Sequence, residues 1–287
     1  MKVLLLGENG QLGWELIRTC PEGVELVTCD YPRVDFLVSA SIEACIRESS
    51  PDWIINAAAY TAVDQAEEEK EKAFCINRDA VRQIAGLVDD TGAGLVHIST
   101  DYVFDGRNHR PWKLDDPTDP RSVYGRSKLE GEIAVREIMG QKSLIIRTAW
   151  LYSSHGKNFV KTMLHLMKTG RDLKVIDEQI GTPTWAWGLA GAIWTSIEKQ
   201  LSGTFHWTDA GVASWYDFAV AVQEEACQLK LLKQSVSIEP VPCEQFPTVA
   251  ERPFYSVLDK RSMWEKTGIT PVHWRVQLRS MLREMIK

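Results

Sequence analysis

Short, wholly apolar runs alternate with amphipathic stretches through the first half of the chain. Val3-Leu4-Leu5-Leu6, Trp53-Ile54-Ile55 and Leu144-Ile145-Ile146 carry no polar alternation and are too short for helices. Strands buried on both faces read this way, as in a parallel sheet covered by helices. Strands are therefore expected over residues 2–6, 24–29, 53–56, 94–98 and 144–147. Apolar positions at helical spacing predict helices over 11–18, 41–48 and 123–137, and a long helical region over 64–90 that breaks near 75–78. The stretch 106–122 holds Pro111, Pro117 and Pro120 and is expected to be a surface loop. Strand and helix in regular alternation predict an α/β fold, a Rossmann-type doubly wound parallel sheet.

After residue 150 the rhythm becomes irregular. Of the 11 tryptophans only Trp14, Trp53 and Trp112 precede Trp150. Helices are expected over 159–168, 186–199 and, capped by Ser214, onward to 228, with strands over 174–176 and 204–207. The chain thus divides into a sheet domain over 1–150 and, mainly, a smaller C-terminal lobe over 151–287, with room for the chain to cross back.

Composition narrows the function. The chain has 287 residues, 44% hydrophobic and 25% charged, ordinary for a globular protein with a full core. A net charge of -6 without a basic run speaks against a nucleic-acid partner. The N-terminal apolar run stops at Gly7, too short to cross a membrane, so no membrane association is expected. Cys20, Cys29, Cys45, Cys75, Cys227 and Cys243 are scattered without metal-ligand spacing. They read as reduced thiols of a cytoplasmic protein.

Two groups of residues carry chemistry. Gly7-x-x-Gly10-x-x-Gly13 follows a predicted strand and opens a predicted helix, the context in which a backbone turn receives a pyrophosphate. The glycines alone fit a plain turn equally well. Asp30, closing the second strand about 20 residues on, tips the balance, because a carboxylate there accepts from a ribose 2′-OH. It also repels a 2′-phosphate, so NADH is expected to serve at least as well as NADPH. Asp35 and Phe36 follow as candidates to flank the adenine, although Phe36 reads equally as core. Further on, Tyr124 and Lys128 share one helix face at i and i+4, and Ser99, Thr100 and Asp101 sit at the carboxyl end of the fourth strand. An ammonium beside a phenol is expected to lower its pKa toward neutrality, and Thr100 to donate to a carbonyl.

The motifs together resemble the dTDP-4-dehydrorhamnose reductase family of extended short-chain dehydrogenases/reductases, nearly end to end. The resemblance rests on residues 7–15, 56–64, 99–104, Tyr124-Gly-x-Ser-Lys128, Arg147-Thr-x-Trp150, 158–163, Gly181-x-Pro-Thr184 and Arg252-Pro253. It implies Thr100, Tyr124 and Lys128 as the catalytic trio. It also implies NAD(P)H held by Gly7, Gly10, Gln11, Leu12, Gly13, Asp30, Asp35, Phe36, Ala59, Tyr60 and Thr61, with Tyr124 and Lys128. A dTDP-deoxysugar would lie against Thr100, Asp101, Tyr102 and Trp150, with Thr61 and Val63 nearby. Several members of the family hold Mg²⁺ in a dimer through three glutamates. Glu15 and Glu284 match two of these, but Trp187 stands at the third, and an indole offers a hard cation no oxygen. No metal ligand is therefore expected, and the chain is expected to be a monomer or weak homodimer. The resemblance implies reduction of a 4-keto group in nucleotide-sugar biosynthesis. Reductases of other nucleotide 4-keto-deoxysugars remain open, as do an epimerase or dehydratase and a non-catalytic regulatory subunit of the same fold. Tyr102 stands where dehydratases carry a glutamate base, which weighs against dehydration.

Overall fold

The computed structural model describes residues 1–286. Its centre is a six-stranded, all-parallel sheet of β1 (Lys2–Leu6), β2 (Glu25–Cys29), β3 (Trp53–Asn56), β4 (Gly94–Thr100), β5 (Ser143–Thr148) and the later strand Gly203–His206. The order across the sheet is Gly203–His206, β5, β4, β3, β1, β2. The chain leaves β1 for β2 on one side and returns to β3 on the other. This reversal opens a crevice beyond the carboxyl ends of β1 and β3, where ligands of open α/β sheets bind.

The apolar runs are continuous because both faces of the sheet are covered. Leu4, Leu6, Ile54 and Leu95 pack under the helices α2 (Ser39–Ser49) and Ala80–Thr91. Val3, Leu5, Ile55, Val96 and Ile146 face the other way, against Leu12 and Leu16 of helix α1 (Gln11–Arg18) and Leu189, Ile193 and Ile197 of the helix Ala186–Glu198. The segment 186–206 therefore belongs to the sheet's layers although the chain reaches it from the second lobe. That lobe has its own core, in which Phe218 and Trp274 meet edge to face at 5.7 Å among the helices Phe159–Lys168, Trp215–Gln228 and Trp274–Glu284.

Three local expectations change. β4 runs two residues past its expected end, so Ser99 and Thr100 pair with Arg147 and Thr148 of β5 inside the sheet. The break near 75–78 is a π-helical turn, Cys75–Asp79, whose Asn77 is buried and bonded to Tyr60 and Ser127. The proline-rich stretch is pinned at its middle. Trp112 stacks on Phe104 at 4.6 Å, donates to the Tyr255 carbonyl, and forms a β-bridge to Leu258. All six cysteines are free thiols. No helix of the described residues is long and apolar enough to cross a membrane.

Candidate active site

The β1–α1 turn is shaped by two contacts that only glycine allows. Gly7 has φ +92°, and a Cβ there would lie 2.7 Å from the Ala58 amide nitrogen, so the turn after β1 packs directly on the turn after β3. A Cβ at Gly13 would come within 2.1 Å of the Gly7 carbonyl, which is why α1 can start so close to the strand. Gly10 differs. It has ordinary backbone geometry, and a Cβ would meet only Gly7 O at 3.4 Å, so its missing side chain leaves space toward the cleft. Gly10 is also the N-cap of α1, where no side chain caps the first amides and the first turn holds no acid. Free amides at a positive helix end suit a pyrophosphate. The cradle therefore fits a dinucleotide.

From this turn a cleft of 680 Å³ runs along the carboxyl edge of the sheet into the second lobe, within the size range of ligand sites. Gly7, Gly10, Gln11, Leu12, Asp30, Phe36, Ala59 and Thr61 line it at the cradle end. Thr100, Asp101, Tyr102, Tyr124, Lys128, Trp150 and Val63 line it further along. Gly13, Asp35 and Tyr60 are not on its walls. Gly13 packs beneath the turn. The Asp35 carboxylate accepts the Leu37 amide in its own turn at 2.9 Å, and the Tyr60 hydroxyl donates to Glu69 at 3.0 Å. Asp30 is at the wall, with one oxygen accepting the Asn9 amide at 3.1 Å and the other the Tyr31 amide at 2.7 Å.

Tyr124 and Lys128 owe their placement to the start of the helix Val123–Met139. Ser122 caps it by accepting the Gly125 amide at 3.1 Å, and Glu67 accepts the Val123 amide at 2.7 Å. Tyr124 thus sits in the first turn and Lys128 one turn on, facing the end of β4. The Lys128 ammonium is buried and donates to the Ile98 carbonyl at 2.6 Å. Burial pulls its pKa down to about 8, against the pull of Glu132. The phenol of Tyr124 departs from expectation. Burial pushes it up to about 12, the Thr100 hydroxyl eases it down and Asp101 raises it further. Loss of water around the phenolate is the largest cause, and Lys128 is not among the groups that shift it. Tyr124 is consequently a fully protonated donor at neutral pH. Thr100 is fixed as the N-cap of the turn Asp101–Val103, where its Oγ1 accepts the Tyr102 amide at 3.2 Å.

The far wall is held by Trp150, a non-glycine residue at φ +48° whose ring stacks on Trp215 at 3.5 Å. Strained backbone of this kind gathers at functional sites. Ser99, read with Thr100 and Asp101 at the end of the fourth strand, lines the cleft, as do Asn9, Thr148, Lys157 and Asn158, which were given no role from the motifs. Asn158 was legible as part of the 158–163 motif but not as a wall. Its amide donates to Gln11 Oε1 at 2.9 Å and so ties the cradle to the second lobe. Lys157 had no signal at all.

The RmlD substrate binding domain family matches residues 1–287. The chain belongs to this family. Among its relatives is the spore coat polysaccharide biosynthesis protein SpsK of Bacillus subtilis, 40% identical over 99% of this chain and 97% of that protein. The dTDP-4-dehydrorhamnose reductase of Escherichia coli K12 is 39% identical over 99% of this chain and 98% of its own length. A solved dTDP-4-dehydrorhamnose reductase from Clostridium acetobutylicum superimposes with a TM-score of 0.93 at 39% identity, covering 100% of both chains. Another, from Bacillus anthracis and in complex with NADP, gives a TM-score of 0.92 at 35% identity over 99% of each chain. Relatives of this similarity span the RmlD family chain from end to end, cradle and second lobe alike.

Proposed function

We propose that this enzyme reduces the 4-keto group of a dTDP-6-deoxy-4-ketohexose, taking dTDP-4-dehydro-L-rhamnose to dTDP-L-rhamnose in cell-surface polysaccharide biosynthesis. The observation that carries the reading is the cleft itself: one continuous groove has the Gly7–Leu12 cradle at one end and Thr100, Tyr124 and Lys128 at the other. The nicotinamide cofactor supplies the hydride. Tyr124 donates the proton to the oxygen as it becomes an alkoxide, Thr100 orients that oxygen, and Lys128 holds positive charge beside them. Trp150 and Tyr102 border the sugar, with Thr61 and Val63 at its side. Residues 1–150 carry the cofactor together with the 186–206 excursion, and the rest of 151–287 carries the nucleotide sugar. The reading also sets this work in the cytoplasm, supported by six cysteines scattered without paired or metal-ligand spacing. Running the reaction with deuterated cofactor tests the assignment. Deuterium must appear at C4 of the product sugar, and its appearance elsewhere, or not at all, contradicts the reading.

Asp30 sets the cofactor. Its carboxylate lies at the end of β2 on the cleft wall, where ribose hydroxyls are read. Asp30→Ala is expected to raise KM for NADH and to improve NADPH relative to it. Unchanged constants for both would remove Asp30 from the ribose.

A divalent metal has no role in this account. The Arg18 guanidinium lies between Glu15 and Glu284, 2.6 Å from one and 3.1 Å from the other, and Ser153 donates to Glu15 at 2.7 Å. One guanidinium already pairs with both acids, and Trp187, at the family's third ligand position, is an exposed indole. Activity and oligomeric state are expected to be indifferent to EDTA and to added Mg²⁺. Light scattering after size exclusion checks this, and a chelator-dependent change of mass would contradict it.

A further inference from the structure

The hydroxyl proton of Thr100 has two claimants. Thr100 Oγ1 lies 2.9 Å from Asp101 Oδ1 and accepts the Tyr102 amide at 3.2 Å. A hydroxyl carries one hydrogen. If that hydrogen goes to an Asp101 carboxylate, none remains for a carbonyl in the cleft. Thr100 then offers Tyr124 only a lone pair, drawing the phenol away from the substrate. If Asp101 carries a proton on Oδ1, the direction reverses: the acid donates, Thr100 accepts, and the threonine hydrogen is released toward the cleft.

The surroundings favour the second arrangement. Asp101 is 3% exposed and its Oδ2 has no hydrogen-bond partner. The groups facing it are Tyr102 from its own turn, Tyr124 from the helix Val123–Met139, and Ser256 from the C-terminal segment. None of these is a cation. Arg252, whose charge reaches Tyr102, is held by Asp64 at 2.6 Å. Burial pushes the Asp101 carboxyl up to about 7, outweighing the Thr100 and Ser256 hydroxyls and the Asp101 and Tyr102 amides, which pull the other way.

We propose that Asp101 is a positioning residue that works as a neutral acid, donating to Thr100 Oγ1 and thereby turning the Thr100 hydroxyl toward the carbonyl being reduced. It acts through Thr100 and itself transfers no proton to substrate. The inference rests on the reductase reading above.

The pH dependence follows in sign. A carboxyl raised to about 7 is protonated below that pH and ionised above it. The competent form is thus lost as pH rises, and kcat falls about tenfold per pH unit beyond the midpoint, the slope of one ionisation. Lys128, lowered to about 8, adds a second decline above it. The test compares kcat–pH profiles of the wild-type holoenzyme and Asp101→Asn, with infrared difference spectra of the carboxylic C=O stretch. The expected result is a wild-type decline near pH 7 that is absent from the Asn enzyme, leaving only the decline near 8. In the wild-type-minus-variant infrared difference, the band of a protonated carboxyl should be present at pH 6 and lost as pH rises; the buried Asp209 carboxyl, raised to about 8, is common to both enzymes and cancels. A pH 7 decline that persists in Asp101→Asn, or an Asp101 already ionised at pH 6, overturns the proposal. If the reductase reading itself fails, the sugar is not reduced at any pH, while the infrared band still reports the state of Asp101.

Discussion

Tyr124→Phe is expected to lower kcat by ~10²–10⁴-fold, the contribution of a positioned general acid, with little change in cofactor affinity or melting temperature. The substitution removes one oxygen and its proton. The ring remains, with its edge contact to Tyr102 at 5.4 Å, and the helix start is fixed by Ser122 and Glu67 rather than by the phenol. A phenol held near 12 is protonated throughout the neutral range, so the acid form is always present and its loss should be felt at every pH. Steady-state kinetics beside thermal melting and cofactor titration checks this. Turnover within about threefold of the parent would exclude Tyr124 as the acid.

Glu132→Ala is expected to cost about 3–5 kcal/mol of stability, because it strands a buried cation. Glu132 is fully buried beneath the site. It accepts Arg147 Nε at 2.9 Å and Nη2 at 2.8 Å, the Ser99 hydroxyl at 2.5 Å and Arg136 at 2.9 Å. Burial alone would raise its carboxyl, but Arg147 and the other donors hold it below the usual range. Without it the Arg147 guanidinium, 3% exposed, loses its counter-charge inside the protein. Ser99 and Arg147 are register partners on β4 and β5, so the damage reaches the strand end that presents Thr100. Equilibrium denaturation should show the loss as a lower midpoint. A change under about 1 kcal/mol would mean the site relaxes to rehydrate Arg147.

What was legible in the sequence was what local pattern encodes. Val3 to Leu6 had to be a doubly buried strand, and Gly7, Gly10 and Asp30 read as a cradle because strand, turn, helix and second strand follow one another along the chain, although the Ala58 contact that requires Gly7 comes from a distant turn. Tyr124 and Lys128 were legible as one face of a helix. The pairings between distant segments were not. Nothing local in 203–206 says that this strand joins β5 instead of the second lobe. Asn158 reaching Gln11 and Glu132 pairing with Arg147 depend on contacts closed only by the folded chain. Arg147 stood out in a motif, but its partners show it bound into the structure beneath the cleft. Asp35 and Tyr60 were placed near the cofactor by motif position; neither lines the cleft, and their side chains bond to Leu37 and Glu69. The Tyr124 phenol was expected to be lowered by Lys128; burial, which no local pattern shows, pushes it up to about 12.

The central claim is most directly tested by following NADH and NADPH oxidation with purified enzyme against a panel of nucleotide 4-ketosugars. The account predicts stoichiometric cofactor consumption with dTDP-4-dehydro-L-rhamnose, formation of dTDP-L-rhamnose, and release of oxidised cofactor at each turnover. Conversion of a nucleotide sugar with no net cofactor consumption, or no consumption with any 4-ketosugar in the panel, would contradict it.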